Sequence, residues 1–112
     1  MSKVIYWQKE LETIGRRQLA ELQLKRLQKS FYRLYRNVPS FREKCHIAGV
    51  SPSDITSLKD IVKIPFTTAD DLRGGYPSGL LAVDRSRVVR LHTSSGTTGK
   101  PKAVFFSKKD IQ

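Results

Sequence analysis

Thr93-Ser94-Ser95-Gly96-Thr97-Thr98-Gly99-Lys100-Pro101-Lys102 packs five hydroxyl side chains, two glycines and two lysines into ten residues. Val88-Val89-Arg90-Leu91 precedes it and Ala103-Val104-Phe105-Phe106 follows, both rich in the β-branched and aromatic residues that favour strands. Glycines let a backbone turn so that successive N–H groups face one way, and such a concave nest holds anionic oxygens. Hydroxyls add donors that rotate to fit, and lysines add charge. The stretch therefore reads as a loop that grips a polyphosphate, carried by a β-hairpin. The plain alternative is a Ser/Thr/Gly-rich surface turn. A turn alone gives no reason for so many hydroxyls beside two lysines.

Two common phosphate loops do not fit. Gly99-Lys100 matches the second half of the Walker A pattern, but its first glycine falls on Ser94 and its final Ser or Thr on Pro101. Walker A also opens a helix, whereas an apolar strand-like run follows Pro101. The GxGxxG spacing is absent as well. The pattern that fits is [ST]SG[ST]TGxPK, the phosphate loop of acyl-adenylate-forming enzymes. Ser94 to Lys102 reads Ser-Ser-Gly-Thr-Thr-Gly-Lys-Pro-Lys and resembles that loop at every fixed place.

The rest of the chain sets limits. Its 112 residues suffice for one small domain, and 38% hydrophobic content is low for a globular one. The formal net charge is +11, with eleven basic and four acidic side chains in residues 1–50. No stretch approaches the roughly 18 apolar residues of a membrane helix. Lys9, Glu10 and Glu12 interrupt any signal-peptide core. The single cysteine, Cys45, has no disulfide partner and reads as a small buried apolar residue. A cytoplasmic protein is the expectation. His46 and His92 lie far apart, and the neighbours Cys45 and His46 would point apart on a helix, so no metal set emerges. His92 directly precedes the loop. A ligand contact is one reading, and a strand-end histidine in a polar contact is the plainer one.

Periodicity predicts one long helix from about Gln8 to Asn37. Ala20, Leu24, Leu27, Phe31, Leu34 and Val38 keep one face apolar by alternating spacings of four and three. Glu12 with Arg16, and Glu21 with Lys25, are favourable i,i+4 pairs. Lys25, Arg26, Lys29, Arg33 and Arg36 all miss the stripe. Such a helix needs a cover, either parts of the protein beyond this chain or a second copy. Pro39 ends it by disfavouring helix at Val38. Ser40 to Glu43 reads as a capping box for a second helix that Gly49 ends. Ser51 to Thr56 reads as a linker. Ser57 to Asp60 starts a third short helix, and Thr67 or Thr68 caps a fourth that Gly74-Gly75 breaks. Leu80 to Val83 reads as a short strand or helical turn. Ser107-Lys108-Lys109-Asp110 opens one more helix just before Gln112.

With these segments in hand, nearly the whole chain resembles the N-terminal region of the phenylacetate–coenzyme A ligases, a branch of the AMP-forming acyl-adenylate superfamily. The resemblance takes in Trp7 and Glu12, Leu22-Gln23, Arg26-Leu27, Asn37-Val38-Pro39, Phe41-Arg42 and Gly49-Val50. It continues through Ile64-Pro65-Phe66-Thr67-Thr68, Asp71-Leu72-Arg73, Tyr76-Pro77, Gly79-Leu80 and Val89-Arg90-Leu91-His92 into the loop. Lys102 departs from the Thr frequent in this branch, Ala103 from the Gly of many adenylating enzymes, and Ala69 from the usual Lys of this branch.

The resemblance implies an α+β fragment: a helical N-terminal region over 1–62, then the start of an adenylate-forming α/β domain over 63–112, with the hairpin carrying the loop. It implies that Ser94, Ser95, Gly96, Thr97, Thr98, Gly99, Lys100 and Lys102 bind nucleotide phosphates. Mg2+ with ATP, an aryl or arylalkyl carboxylic acid and coenzyme A are the implied reactants. None of the family's acid pocket, adenine site, magnesium-binding acid or C-terminal catalytic lysine falls within the chain, so the expectation is an inactive N-terminal piece of a larger ligase. The competing reading is a basic helical interaction module, for dimerisation through the long helix or for nucleic acid, that happens to carry a polyphosphate loop. The charge suits nucleic acid, but no aromatic platform or recognition motif accompanies it, and Glu12, Glu21 and Glu43 interrupt it. A membrane-surface role is weaker still, with Trp7 alone at one end of the stripe.

Overall fold

The computed structural model describes residues 2–95 and 99–112. Lys9–Glu12 forms a single helical turn, α1, and Arg16–Asn37 forms the long helix α2. The continuous helix expected from Gln8 is therefore broken at Thr13–Gly15. Gly15 is extended, with φ −66° and ψ 152°, and serves as N-cap of α2. Thr13 donates its hydroxyl to Lys9 O at 2.6 Å, and Glu12 accepts from Gln8 N at 2.7 Å. Glu12 bonds the N-cap amide and Thr13 a carbonyl at the C-terminal end, so both ends of α1 are satisfied locally, and glycine's low helix propensity falls where α1 would have to run on. The expected Glu12–Arg16 pair spans this break. Glu21 pairs backward with Arg17 at 3.4 Å rather than forward with Lys25.

Pro39–Ala48 forms α3. Its N-cap is Val38 and Pro39 occupies the first turn, so the helix starts ahead of the Ser40 capping box, which does not form. Proline is suited to that place because its missing N–H would be unpaired anyway. Gly49 ends α3 in the left-handed region at φ 68°, as its position suggests. The 51–56 segment is more than a linker: Pro52–Asp54 is a 3-10 turn in which Ser51 N donates to Asp54 Oδ2 at 2.8 Å. The third helix is also 3-10, over Leu58–Lys63, with Ser57 N donating to Asp60 Oδ2 at 2.9 Å. Ala69–Gly74 forms α4. Thr68 N donates to Asp71 Oδ2 at 2.7 Å, and Asp71 N donates back to Thr68 Oγ1 at 3.3 Å. Leu80 to Val83 adopts no regular element.

The core lies between α2, α3 and the turns that follow. Phe31, Val38, Phe41, Cys45, Val50 and Ile55 are buried, and Leu24, Leu27, Leu34, Tyr35 and Ile64 pack around them. Phe31 meets Phe41 edge-on at 5.8 Å between ring centres, a geometry that aromatic quadrupoles favour. Tyr35 Oη and His46 Nε2 lie 3.0 Å apart, and Gln28 Nε2 donates to Ile55 O at 2.8 Å, tying the segment after the first 3-10 turn to α2. The stripe from Leu24 to Val38 thus finds its cover within the chain. Cys45 is fully buried, and burial pushes its thiol pKa up.

Val88–Thr93 (β1) and Ala103–Ser107 (β2) form an antiparallel hairpin in which Thr93 faces Ala103 and His92 faces Val104. Ser107 N donates to Asp110 Oδ2 at 2.7 Å and opens a 3-10 turn over Lys108–Ile111. Lys44 of α3 donates to Phe66 O at 3.0 Å and also to Asp71 Oδ2, joining α3 to α4. Lys44, followed by the Thr68 amide, lowers the Asp71 pKa to about 2. An apolar hollow of about 220 Å³, lined by Leu72, Leu80, Ala82, Val88, Ala103 and Phe105 among others, separates the hairpin from the 72–83 segment.

Candidate functional site

The loop leaves the end of β1 at Ser94 and returns to β2 at Lys102. Just past the last ladder pair, Ser94 N donates to Lys102 O at 2.9 Å. Lys102 N donates to Ser94 Oγ at 2.8 Å. One serine therefore closes the loop's base twice, through its backbone and through its hydroxyl oxygen. The hydroxyl proton remains as a donor, so closure and ligand contact do not compete for the same atom.

Strand alternation places Arg90, His92 and Ser94 on one face of β1, with Lys102, Val104 and Phe106 opposite them on the same face of β2. The His92 ring meets Phe106 at 4.9 Å between centres, tilted by 59°, which confirms that shared face. The histidine rests on an aromatic ring beside the loop. Ala103 is buried on the other face, toward the apolar hollow.

Of the eight residues expected to bind phosphates, Ser94, Ser95, Gly99, Lys100 and Lys102 are described, and the hairpin brings them to one end of the sheet. Gly96, Thr97 and Thr98 lie outside the described residues. Ser94, Ser95, Gly99 and Lys100 are exposed, while Pro101 and Lys102 are half-buried. Gly99 has φ 129°, a conformation that glycine alone adopts easily, and a Cβ there would meet nothing within 4 Å among the described residues. Backbone geometry is thus itself a constraint at Gly99. The pairing of Ser94 with Lys102 is the feature that local pattern does not reveal. It follows only once the strand register is known, although both residues stand at the ends of the recognised motif.

No family model matches the chain. The chain is 48% identical over 101 residues, 90% of its length, to phenylacetate–coenzyme A ligase of Aromatoleum evansii. It is 46% identical over 106 residues to the ligase of that name from Thermus thermophilus, and 46% identical over 101 residues to the one from Escherichia coli. Over nearly all its length, the chain is a relative of the phenylacetate–coenzyme A ligases. It spans about a quarter of those proteins, 23% of the A. evansii ligase and 24% of the T. thermophilus one.

Solved structures agree with the relation to these ligases. A crystal structure of 2-hydroxyisobutyryl-CoA ligase with 2-HIB-AMP and CoA superposes with a TM-score of 0.82 and 31% identity, over 94% of this chain and 23% of that one. The same ligase in its postadenylation state with 2-HIB-AMP gives a TM-score of 0.80 at 28% identity. The long helix, the short helices and the two-stranded hairpin are therefore part of an adenylate-forming ligase fold. Among the described residues, no helix is long and apolar enough to cross a membrane.

Proposed function

We propose that this chain supplies the ATP-gripping portion of an AMP-forming ligase for an aryl or arylalkyl carboxylic acid, phenylacetate or a close analogue, with coenzyme A as acceptor. The observation that carries the proposal is the Ser94–Lys102 loop, closed at its base by Ser94, in a chain 48% identical to such a ligase. The carboxylate attacks the α-phosphorus of ATP. Acyl-AMP forms and pyrophosphate leaves. The thiol of coenzyme A then displaces AMP and leaves a thioester.

The difficulty in the first step is charge. A carboxylate approaches a polyanion, and the leaving pyrophosphate gains negative charge. Donors fixed on the β- and γ-phosphates relieve both, and one preorganised donor contributes roughly 3 kcal/mol in the transition state. Ser94, Ser95, Thr97 and Thr98 supply hydroxyl and amide donors, and Gly96 and Gly99 let the backbone approach. Lys100 adds charge, and Lys102 docks the returning strand against Ser94. Magnesium comes with ATP as part of the substrate. The role proposed for these loop residues is to hold phosphate. On this reading the acid pocket and the acceptor site of a ligase of the relatives' length lie outside the quarter that this chain spans.

The test is acid-dependent AMP release and thioester formation by the ligase that contains this chain, with phenylacetate and 2-hydroxyisobutyrate compared side by side. Preference for phenylacetate with a stoichiometric thioester supports the reading. Preference for the hydroxy acid would move the substrate class, and ATP cleavage to ADP would remove the adenylation mechanism. Lys100→Ala should raise KM for ATP more than KM for the acid.

A further inference from the structure

Arg26, Lys29 and Arg33 follow one another along α2 at spacings of three and four, which puts them on one face of the helix. Lys109, in the turn after β2, joins them. With Ser30 and Asp110 they line an open depression of about 300 Å³. Asp110 is the one carboxylate there; its Oδ2 accepts from Ser107 N at 2.7 Å and from Ser107 Oγ at 2.8 Å, and the nearby Arg33 and Lys109 charges add to the lowering of its pKa. Among the described residues, no carboxylate forms an ion pair with any of the four cationic groups. Four positive charges against one negative remain.

Helix stability does not account for this grouping, and of the four cations only Arg33 also borders the apolar hollow. Like charges three and four residues apart repel. None of the three α2 residues belongs to the apolar stripe that packs on the core. We propose that the depression is a second anion site, separate from the loop, for a small molecule carrying linked phosphates, of the size of inorganic pyrophosphate. Guanidinium forks match phosphate oxygens two at a time, and lysine adds a compact charge. Ser30 adds a hydroxyl donor. Arg26 and Arg33 are seven residues apart, about 10 Å along the helix axis, a span that long side chains close over two linked phosphates. The Asp110 carboxylate at the rim opposes a long polyanion laid across the site. Residues 103–107 separate Lys109 from the loop by more than about 15 Å of strand, so one pyrophosphate cannot occupy both places.

The experiment is a titration of the chain with inorganic pyrophosphate at about 150 mM salt, a physiological ionic strength, followed by backbone amide shifts. Saturable shifts are expected at Lys29, Ser30, Arg33 and Lys109. The Arg26→Gln/Arg33→Gln variant should weaken that binding at least tenfold, while Lys100→Gln in the loop leaves it within twofold. Lys25→Gln/Arg36→Gln removes equal charge elsewhere on α2 and should also leave it within twofold. If the first variant loses helix content, Lys109→Gln, on another element, replaces it and should weaken binding several-fold. Equal weakening by Lys25→Gln/Arg36→Gln would reduce the effect to diffuse attraction and overturn the site. Shifts confined to residues 94–102, or displacement of pyrophosphate by a short DNA duplex at the same salt, would overturn it too. A loop that fails to bind pyrophosphate would show no shifts at 94–102 and would leave this site standing.

Discussion

Ser94 carries two tasks in one side chain. Its hydroxyl oxygen accepts from Lys102 N at 2.8 Å, and removing it leaves that amide without its partner. A net loss of about 1 kcal/mol follows for such a bond. Ser94→Ala should speed hydrogen exchange at the Lys102 amide several-fold, and Ser94→Thr should restore the wild-type rate. Asp71 offers a second single-residue test. Lys44 first, then the Thr68 amide, lowers its pKa to about 2 from an ordinary 3.8. The folded-state pKa is depressed, so the carboxylate's contribution is fully present above pH 3.8 and lost as pH falls through about 2. Asp71→Asn should therefore be less stable than wild type at about pH 5, and the gap should close between about pH 4 and 2 in urea titrations at each pH. The two residues were not equally legible. Asp71 stands three places after Thr68, a local spacing that announces a cap. The contact of Ser94 with Lys102, like that of Lys44 with Asp71, depends on chain segments meeting in space, and no local pattern carries that.

Among elements, the packing of α2 on α3 holds the chain together. Phe31 is only 2% exposed and meets both Tyr35 and Phe41 edge-on. Phe31→Ala removes a large side chain from a core of few members and should destabilise by about 3–5 kcal/mol. For a domain this small that is enough to abolish the cooperative urea transition. Gly49→Ala tests the end of α3. A Cβ there meets nothing within 4 Å, so the penalty is the left-handed backbone alone, about 1 kcal/mol, seen as a lower urea midpoint with an unchanged slope. The elements that sequence reading located well are those whose signals are local: the caps at Ser57 and Ser107, the cap it left between Thr67 and Thr68, the stop at Gly49, and the two strands around the loop. It failed at Gly15 and Ser40 for physical reasons. The stripe of apolar residues runs past Gly15 although the backbone does not, because the Thr13 hydroxyl satisfies a carbonyl at the end of α1 and Gly15 turns extended after it. Pro39 fits the first helical turn and pre-empts Ser40 as the start of α3.

At the scale of the molecule, the chain has too much surface for its mass. Its accessible area is 9036 Å², against about 6,300 Å² for a compact protein of this size. Its radius of gyration is 17.2 Å, against about 13 Å for a compact domain of the same length. Trp7, Val62 and Phe66 are each more than four-fifths exposed. Small-angle scattering of the monomer should give a radius near 17.2 Å, and a dye that fluoresces on apolar surface should bind the folded state. A radius of about 13 Å would mean that the tail and hairpin close onto the helices. This openness was not readable from the sequence. Apolar periodicity shows that a face wants cover, and only the fold shows which part of it, Leu24 to Val38, is covered from within.

Cys45 is the chain's only thiol and sits wholly inside the α2–α3 core. A reagent that must touch sulfur can reach it only when the packing around it opens, at the seam of those helices or at the 49–54 segment that walls the hollow beside it. The chain therefore carries its own clock for opening. Under conditions where closing outruns reaction, the labelling rate reports the free energy of the opening that exposes Cys45, with a stoichiometry of one. Set beside exchange at the Lys102 amide, it would tell whether the hairpin and the helical core come apart together or in turn.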